Sequence, residues 1–199
     1  MIRLRFPVEM TTSLARYVGR QRLKGARKFP MVLMLEPLHA CNLTCTGCGR
    51  IREYESTIKQ KLSIDECLAS VDECGAPVVS ICGGEPMIYP GIGELTAKIL
   101  ERGKVVYLCT NGMFIRKKLG EFKPSRTFFF NVHLDGMKKT HDIAVEREGV
   151  FDSAIDEIQP RYSSSSGSFS DRSLKAPSNC RASNAALFPG PSWLRTLAP

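Results

Sequence analysis

Three cysteines, Cys41, Cys45 and Cys48, lie within eight residues of the sequence, in the spacing C-x3-C-x2-C. No fourth cysteine or histidine stands at a spacing that completes a four-ligand knot, and structural zinc sites usually close with four ligands. Three thiolates from one short loop can hold three corners of a cubane iron–sulfur cluster and leave the fourth iron open to a substrate. The loop therefore predicts a cluster with one open corner, and a zinc site with a remote fourth ligand is the alternative.

A second motif, Gly83-Gly84-Glu85-Pro86, follows an apolar run that ends at Cys82. Two glycines let a ligand approach the backbone closely, and the proline restricts the turn. The carboxylate of Glu85 could accept a hydrogen bond from an ammonium group. An ordinary strand-to-helix turn is the alternative, but the cysteine loop one strand earlier favours a ligand site.

Polar residues recur with period two at the ends of two further apolar runs. Successive side chains of a strand point to opposite faces, so Tyr107, Cys109 and Asn111 share one face of a predicted strand. A thiol S–H bond is weak enough to quench an alkyl radical, which makes Cys109 a candidate hydrogen-atom donor; a buried packing cysteine is the alternative. The residues expected to line a wet cavity from the next strand are Asn131, His133 and Asp135. A hydrogen-bonded packing role is an equal alternative for the histidine.

Together the two motifs resemble those of the radical S-adenosylmethionine (SAM) superfamily, which pairs a CxxxCxxC loop after strand 1 with a GGEP-like motif after strand 2. The resemblance implies that the three cysteines bind a [4Fe–4S] cluster, whose open iron chelates the amino and carboxylate groups of SAM. Residues 83–86 would hold the methionyl ammonium. Asn111 and the polar residues of the fourth strand are the candidates for the SAM ribose or carboxylate. The implied chemistry is one-electron cleavage of the C5′–S bond of SAM to a 5′-deoxyadenosyl radical.

Four further runs, residues 32–38, 72–80, 107–111 and 132–136, resemble the radical SAM proteins of hopanoid biosynthesis. This resemblance covers about residues 11–158. It implies that the adenosyl radical adds to the terminal alkene of a hopene, a polycyclic hydrocarbon, and that the resulting carbon radical takes up a hydrogen atom. A reducing electron donor such as flavodoxin or ferredoxin is the other implied partner. The rivals are a radical SAM enzyme acting on a peptide or polar metabolite, a non-catalytic iron–sulfur or zinc module, and an inactive fragment.

The elements that must position these motifs alternate between strand and helix at near 30 residues per unit. Such repeats indicate a parallel sheet, with the chemistry at the C-terminal ends of its strands. With the resemblance, the predicted fold is α/β, a partial (βα)6 barrel truncated to about four βα units. The predicted strands are residues 31–36, 78–82, 105–109 and 127–134. The predicted helices cover about residues 12–24, 114–119, 138–146 and 150–158, with two more beginning at a capping box after Ser63 and near Ile92.

The basic excess of the chain lies at its two ends. The net charge is +8 overall, with +7 in residues 1–30, −3 in residues 31–158 and +4 in residues 159–199. The middle segment therefore gives no sign of a nucleic-acid-binding surface. The predicted domains follow the same ranges. They are a basic N-terminal helical segment (residues 1–30), a radical SAM barrel (residues 31–158) and a Ser/Pro-rich tail (residues 159–199). The basic helix is expected either to cap the bottom of the barrel or to lie on an anionic membrane surface.

The tail after Gln159 is rich in Ser, Pro, Asn and Arg and has no strand pattern. Its composition predicts disorder, and a wrong reading frame beyond about Ile158 is the sharper hypothesis. Eight cysteines without a secretion signal favour metal ligands over disulfides. No apolar run is long enough to span a membrane, so we expect a cytoplasmic protein that is at most peripheral at the inner face of the membrane.

Overall fold

The structure, a computed structural model, describes residues 8–49, 55–158 and 181–182. Its helices are α1 (Val8–Leu23), α2 (Ile64–Cys74), α3 (Ile92–Glu101), α4 (Ile115–Lys118), α5 (Lys138–Ala144) and α6 (Val150–Ile158). Its strands are β1 (Val32–Leu35), β2 (Val78–Ile81), β3 (Val105–Thr110), β4 (Phe128–Val132) and β5 (Arg181–Ala182). The predicted alternation of strand and helix is confirmed, with four βα units between β1 and α6.

All strands pair in parallel, in the order β1-β2-β3-β4-β5. Leu35 pairs with Ile81, and Ile81 pairs with Leu108, so the C-terminal ends of the strands meet at one edge. The loops that carry the predicted motifs all leave the sheet at this edge. It is the edge where parallel α/β folds place their chemistry.

Strand β5 corrects one prediction. Arg181 and Ala182 belong to the tail for which no strand was expected, yet they pair with Asn131 and Val132 of β4. The pairing is physically reasonable because it satisfies backbone groups along an edge of β4 that would otherwise be open. The rest of the predicted tail, and the question of its reading frame, lies outside the described residues.

One face of the sheet packs against α2 and α3 and forms the main core. The alternation of the strands sends every second side chain to this face. The fully buried members from the sheet are Leu35, Val79, Ile81, Val106 and Leu108, and those from the helices are Cys67, Val71, Ile92, Leu95 and Ile99.

The opposite face of the sheet, which we call the α1 face, is covered at its base by α1. Met10 packs against Val78 and Val105, the first residues of β2 and β3. The Tyr107 hydroxyl donates to the Met10 sulfur at 3.5 Å. Helix α1 therefore lies at the N-terminal ends of the strands, as expected for a helix that caps the bottom of a barrel. In the part of the chain that the structure describes, no helix is both long enough and apolar enough to cross a membrane.

The predicted capping box at the start of α2 is confirmed. The Glu66 backbone N–H donates to Ser63 Oγ at 3.2 Å, and the Ser63 backbone N–H donates to Glu66 Oε2 at 2.7 Å. Gly75 ends the helix in the left-handed conformation, with φ 65°, which only glycine adopts freely. The helix that follows the cysteine loop thus has both ends set by local sequence.

Candidate functional site

The three predicted cluster ligands lie in the loop that follows β1, at the C-terminal edge of the sheet. Cys41, Cys45 and Cys48 are free thiols of intermediate exposure. The Leu43 backbone N–H points at Cys41 Sγ, 3.4 Å away, and the Cys48 N–H donates to the carbonyl of Cys45 at 3.0 Å. The loop therefore forms a tight turn that carries all three thiols at one edge of the sheet.

Burial raises the pKa of the Cys41 and Cys45 thiols above the usual range. The thiolate is the form that binds metal, so a cation must offset this burial, and cluster binding must release protons. In the described ranges, no three Cys, His, Asp or Glu side chains stand close enough to share one metal ion. The fit of a [4Fe–4S] cluster therefore rests on the ligand type and on the single short loop that carries all three thiols.

Gly83 and Gly84 lie directly against the cysteine loop. The Gly84 N–H donates to the Leu38 carbonyl at 3.0 Å, and the Glu85 N–H donates to the Ala40 carbonyl at 2.9 Å. A Cβ on Gly84 would overlap the carbonyl of Ala40, and one on Gly83 would come within 2.5 Å of the Leu38 oxygen. The two glycines thus allow the loop after β2 to pack closely against the cysteine loop. This contact holds residues 83–86 beside the predicted cluster ligands.

Glu85 is 1% exposed, and its carboxylate is held inside the protein. Oε1 accepts from the Met87 N–H at 2.9 Å and from Thr110 Oγ1 at 2.8 Å, and Oε2 accepts from the Asn111 N–H at 2.8 Å. Burial raises the pKa of this carboxyl group, and the three hydrogen bonds oppose that effect. The predicted contact between this carboxylate and an ammonium group stays a prediction. The side chain links the loop after β2 to the end of β3.

Asn111, at the end of β3, also reaches the cysteine loop. Its Nδ2 donates to Asn42 Oδ1 at 2.8 Å, and its Oδ1 accepts from the Met113 N–H at 3.1 Å. Asn42 follows Cys41 directly, and its Nδ2 lies 3.4 Å from the Met113 sulfur. The side chain proposed for the SAM cavity is thus engaged in holding the cluster loop.

Cys109 lies on the α1 face, where its strand neighbours form a polar pair around the thiol. Ser80 Oγ lies 3.4 Å from Cys109 Sγ, and Asn131 Nδ2 donates to the same sulfur at 3.5 Å. Asn131 is the register partner of Cys109 on β4. Cys109 is of intermediate exposure and so differs from the packed core cysteine Cys67, which is fully buried.

His133 and Asp135 lie beyond β4, which ends at Val132 and not at Leu134 as predicted. His133 Nε2 lies 2.8 Å from Asp135 Oδ1, and the Asp135 N–H donates to Nδ1 of His141 at 3.2 Å. The His133 side chain is 60% exposed, whereas His141 is fully buried. Burial is the main cause of the raised pKa of Cys45, and the charge of Asp135 makes the smallest contribution in the same direction.

The far side of the cysteine loop packs against the end of α5. Leu43 joins Val145 and Val150 in a small buried cluster. The Thr46 N–H donates to the carbonyl of Ala144 at 3.0 Å, and its hydroxyl donates to Glu146 Oε1 at 2.8 Å. The loop is therefore held from three directions, by the ends of β2, β3 and α5.

Sequence reasoning missed four residues of this arrangement: Asn42, Thr46, His141 and Glu146. Thr46 and Glu146 are 100 residues apart, and Asn42 and Asn111 are 69 apart. No periodic or local pattern links residues at such separations. The one signal in the sequence was that Asn42 and Thr46 lie inside the cysteine loop, between the predicted ligands.

Residues 35–159 match the family model of the Radical SAM superfamily. Fe-coproporphyrin III synthase from Methanosarcina barkeri (strain Fusaro / DSM 804) is 32% identical over 120 residues, which cover 58% of this chain and 30% of that protein. GTP 3',8-cyclase from Clostridium perfringens (strain SM101 / Type A) is 30% identical over 125 residues, which cover 60% of this chain and 39% of that protein. The chain thus spans 30–39% of the length of these curated relatives.

The fold is similar to that of Streptococcus suis SuiB. The crystal structure bound to S-adenosylmethionine aligns with a TM-score of 0.53 at 20% identity, over 79% of this chain and 36% of that one. The structure bound to the precursor peptide SuiA aligns with a TM-score of 0.55 at 21% identity, over 78% and 35% of the two chains. At this identity the likeness establishes the fold alone.

Proposed function

The chain belongs to the radical SAM superfamily, whose cofactors are a [4Fe–4S] cluster and SAM, and on that premise we propose that it is an adenosyl hopene transferase. When bound, the cluster and SAM supply a 5′-deoxyadenosyl radical, which adds to the terminal alkene of a hopene and forms a C–C bond. The substrate assignment is supported by the sequence runs that resemble the hopanoid-biosynthesis proteins and by the position of Cys109. The curated relatives named above carry the names of porphyrin and GTP enzymes and lend it no support.

The observation that carries the proposal is the partly exposed Cys109 on β3, the strand whose end contacts the cysteine loop. Asn111 lies two residues further along the chain and contacts Asn42, which follows the ligand Cys41. A strand advances about 3.3 Å per residue, so the thiol lies within about two residues' length of that contact. We therefore infer that it can reach a substrate radical formed at the open corner of the cluster.

Addition to an alkene leaves a carbon radical, which must gain one hydrogen atom to become a saturated product. The Cys109 S–H can supply that atom: the S–H bond breaks, the product C–H bond forms, and a sulfur-centred radical remains. One electron from a flavodoxin or ferredoxin and one proton then restore the thiol. Asn131 and Ser80, at 3.5 and 3.4 Å, fix the direction of the sulfur during this cycle.

The α1 face offers apolar surface for a hydrocarbon next to this thiol. Met34 is the register partner of Ser80 and is 61% exposed, and Val32 is 49% exposed. Tyr107 and Phe129 stack on the same face with ring centroids 5.2 Å apart. Exposed apolar side chains of this kind favour an apolar ligand over a charged one.

The residues that would hold the cofactors are those already placed at the edge. Cys41, Cys45 and Cys48 supply the three thiolate ligands. Residues 83–86, which are hydrogen-bonded to the cysteine loop, would bind the methionyl ammonium. His133 and Asp135, the remaining polar pair, would bind the ribose or carboxylate of SAM.

A second candidate is modification of a peptide, which the likeness to SuiB favours. That protein has been solved with its precursor peptide SuiA, and this chain shares its fold over 78% of its residues. A peptide would lie along the same sheet face as the hydrocarbon. The two candidates therefore differ in substrate and not in the site that generates the radical.

The deciding experiment is anaerobic reconstitution of the cluster, followed by incubation with SAM, dithionite and either a hopene or a library of peptides. We expect SAM-dependent formation of 5′-deoxyadenosyl hopane, detected by mass spectrometry, only with the hopene. Cys109→Ala should still consume SAM with hopene present, but the yield of saturated adduct should fall at least about tenfold, because its hydrogen donor is gone. Cys74→Ala, which changes a partly exposed cysteine of α2 outside the site, is the matched control.

Free 5′-deoxyadenosine with hopene but no adduct would reject the hopene assignment, and an adduct on a peptide would replace it with the second candidate. Saturated product from Cys109→Ala at the wild-type rate would remove the thiol from the reaction. Loss of SAM cleavage in Cys74→Ala would show that cysteine substitutions act through the fold.

A further inference from the structure

Glu146 has the conformation of a glycine. Its φ is 55°, and in the part of the chain that the structure describes it is the only non-glycine residue at positive φ. It directly follows the C-cap of α5, where a left-handed residue ends the helix and glycine is usual. A glycine would serve the backbone better here, so the side chain needs another explanation.

The contact that the side chain makes is with the cysteine loop. Glu146 Oε1 accepts from Thr46 Oγ1 at 2.8 Å, and Thr46 lies between the ligands Cys45 and Cys48. The Thr46 N–H also donates to the carbonyl of Ala144, one of the helix-end carbonyls that have no partner inside α5. The short segment between two cluster ligands is thus tied twice to one helix end.

Strain at a non-glycine residue persists only when the surroundings enforce it, and it gathers at functional sites. Here the enforced contact is an exposed one, since Thr46 and Glu146 both face solvent, and an exposed hydrogen bond adds little to stability. A contribution to folding therefore does not account for a strained glutamate at this position. A contribution to the shape of the ligand loop does.

We propose that Thr46 and Glu146 are positioning residues that hold the Cys45–Cys48 segment in the shape required by the [4Fe–4S] cluster. The Glu146 carboxylate accepts a hydrogen bond from the Thr46 hydroxyl and keeps the turn between the two ligands packed against the end of α5. The inference rests on the cluster and not on the identity of the substrate. It therefore stands or falls separately from the assignment of a hopene.

The test compares pairs of variants that remove or keep the hydrogen bond. Thr46→Val and Glu146→Gly remove it, whereas Thr46→Ser and Glu146→Gln keep a donor and an acceptor. Glu148→Gln, a change to an exposed acid in the same turn, is the control. Three readouts are taken: the rate of iron loss from the reconstituted protein to a chelator, the electron paramagnetic resonance spectrum of the reduced cluster with and without SAM, and the urea midpoint of the cluster-free chain.

We expect iron loss to be about tenfold faster in Thr46→Val and Glu146→Gly, the effect usual for groups that orient metal ligands, with an altered spectrum. Glu146→Gly should nevertheless keep a urea midpoint at or above that of the wild type, because glycine accepts the positive φ. Thr46→Ser, Glu146→Gln and Glu148→Gln should resemble the wild type.

Wild-type iron retention and spectrum in Glu146→Gly would overturn the proposal. So would a fall in the urea midpoint that matches the loss of iron, because the pair would then act through the fold. Rapid iron loss from Glu146→Gln would overturn it as well, since that variant keeps the hydrogen-bond acceptor.

Discussion

Glu85 lies in the loop after β2 and accepts hydrogen bonds from its own turn and from the end of β3. Its partners are the Met87 and Asn111 N–H groups and the Thr110 hydroxyl. A buried donor that loses its partner pays the full desolvation penalty, about 1–3 kcal/mol. The residue type alone suggested that Glu85 contacts a ligand. Its hydrogen bonds to Thr110 and Asn111 link the loop after β2 to the end of β3.

We expect Glu85→Ala to lower the free energy of unfolding by about 3 kcal/mol or more, because three donors lose their acceptor. Urea unfolding of the cluster-free chain measures this. Glu94→Ala is the matched control, since it removes an exposed carboxylate paired with Lys98, and its effect should stay within about 0.5 kcal/mol.

A Glu85→Ala chain that unfolds at the wild-type midpoint yet binds SAM poorly would contradict this assignment. That result would return the carboxylate to the cofactor. If unfolding and SAM affinity change together, the side chain acts by supporting the loop.

At the scale of elements, a side chain of α5 caps the N-terminus of α6. Asp142 of α5 accepts from the Gly149 N–H and the Phe151 N–H, both at 2.9 Å, at the start of α6. The first turn of a helix leaves its N–H groups without internal partners, and a carboxylate there is favourable. The same pair of helices supports the cysteine loop through Val145 and Val150.

The hydrogen bond from Phe151, followed by that from Gly149, lowers the pKa of Asp142 below its usual range. Since the folded state favours the charged carboxylate, its contribution to stability is present above the ordinary pKa of Asp, about 4, and is lost as the pH falls through the lower folded value. We expect Asp142→Asn to be less stable than the wild type at pH 7, with the difference shrinking below about pH 4. Thermal unfolding of both chains between pH 2.5 and 7 measures this.

Asp65→Asn serves as the control for this pH series. Asp65 is also an acid in the first turn of a helix, but that helix, α2, is capped by Ser63 and not by Asp65. A stability difference between Asp142→Asn and the wild type that does not vary with pH would contradict the role of the charge. The carboxylate would then act only through the shape of its hydrogen bonds.

At the scale of the molecule, α1 and the cysteine loop lie at opposite ends of the sheet. Met10 contacts the first residues of β2 and β3, while the loop follows the last residue of β1. A membrane bound to the basic helix would therefore lie at the end of the sheet away from the cluster. This geometry favours a structural role for α1, as a floor that packs under the sheet. It does not favour the predicted peripheral membrane contact.

We expect Met10→Ala to lower the free energy of unfolding by about 2 kcal/mol, since it opens a cavity under the sheet. The double variant Arg16→Gln, Arg20→Gln changes only exposed charges of α1 and should unfold at the wild-type midpoint. Urea unfolding measures both. Sedimentation with vesicles containing anionic lipid would contradict the floor role if the wild type bound and the double variant did not.

The sequence by itself predicted the cluster ligands, the order of the βα units and the face of the strand residue Cys109. Three cysteines in one loop need only their spacing, and the capping box at Ser63 needs only four residues of chain. Alternation along a strand placed Cys109 on the face where Ser80 and Asn131 meet it. These features arise from neighbours along the chain, and so local periodicity predicts them.

Only the tertiary structure decided what each polar group contacts. Glu85 meets Thr110 from 25 residues away, and Thr46 meets Glu146 from 100 residues away. Such pairs exist because parallel strands bring the loops at their C-terminal ends to one edge, and the order of strands decides which loops become neighbours. A carboxylate near a glycine turn can therefore face a ligand or a strand end, and the packing of the strands determines which of the two it contacts.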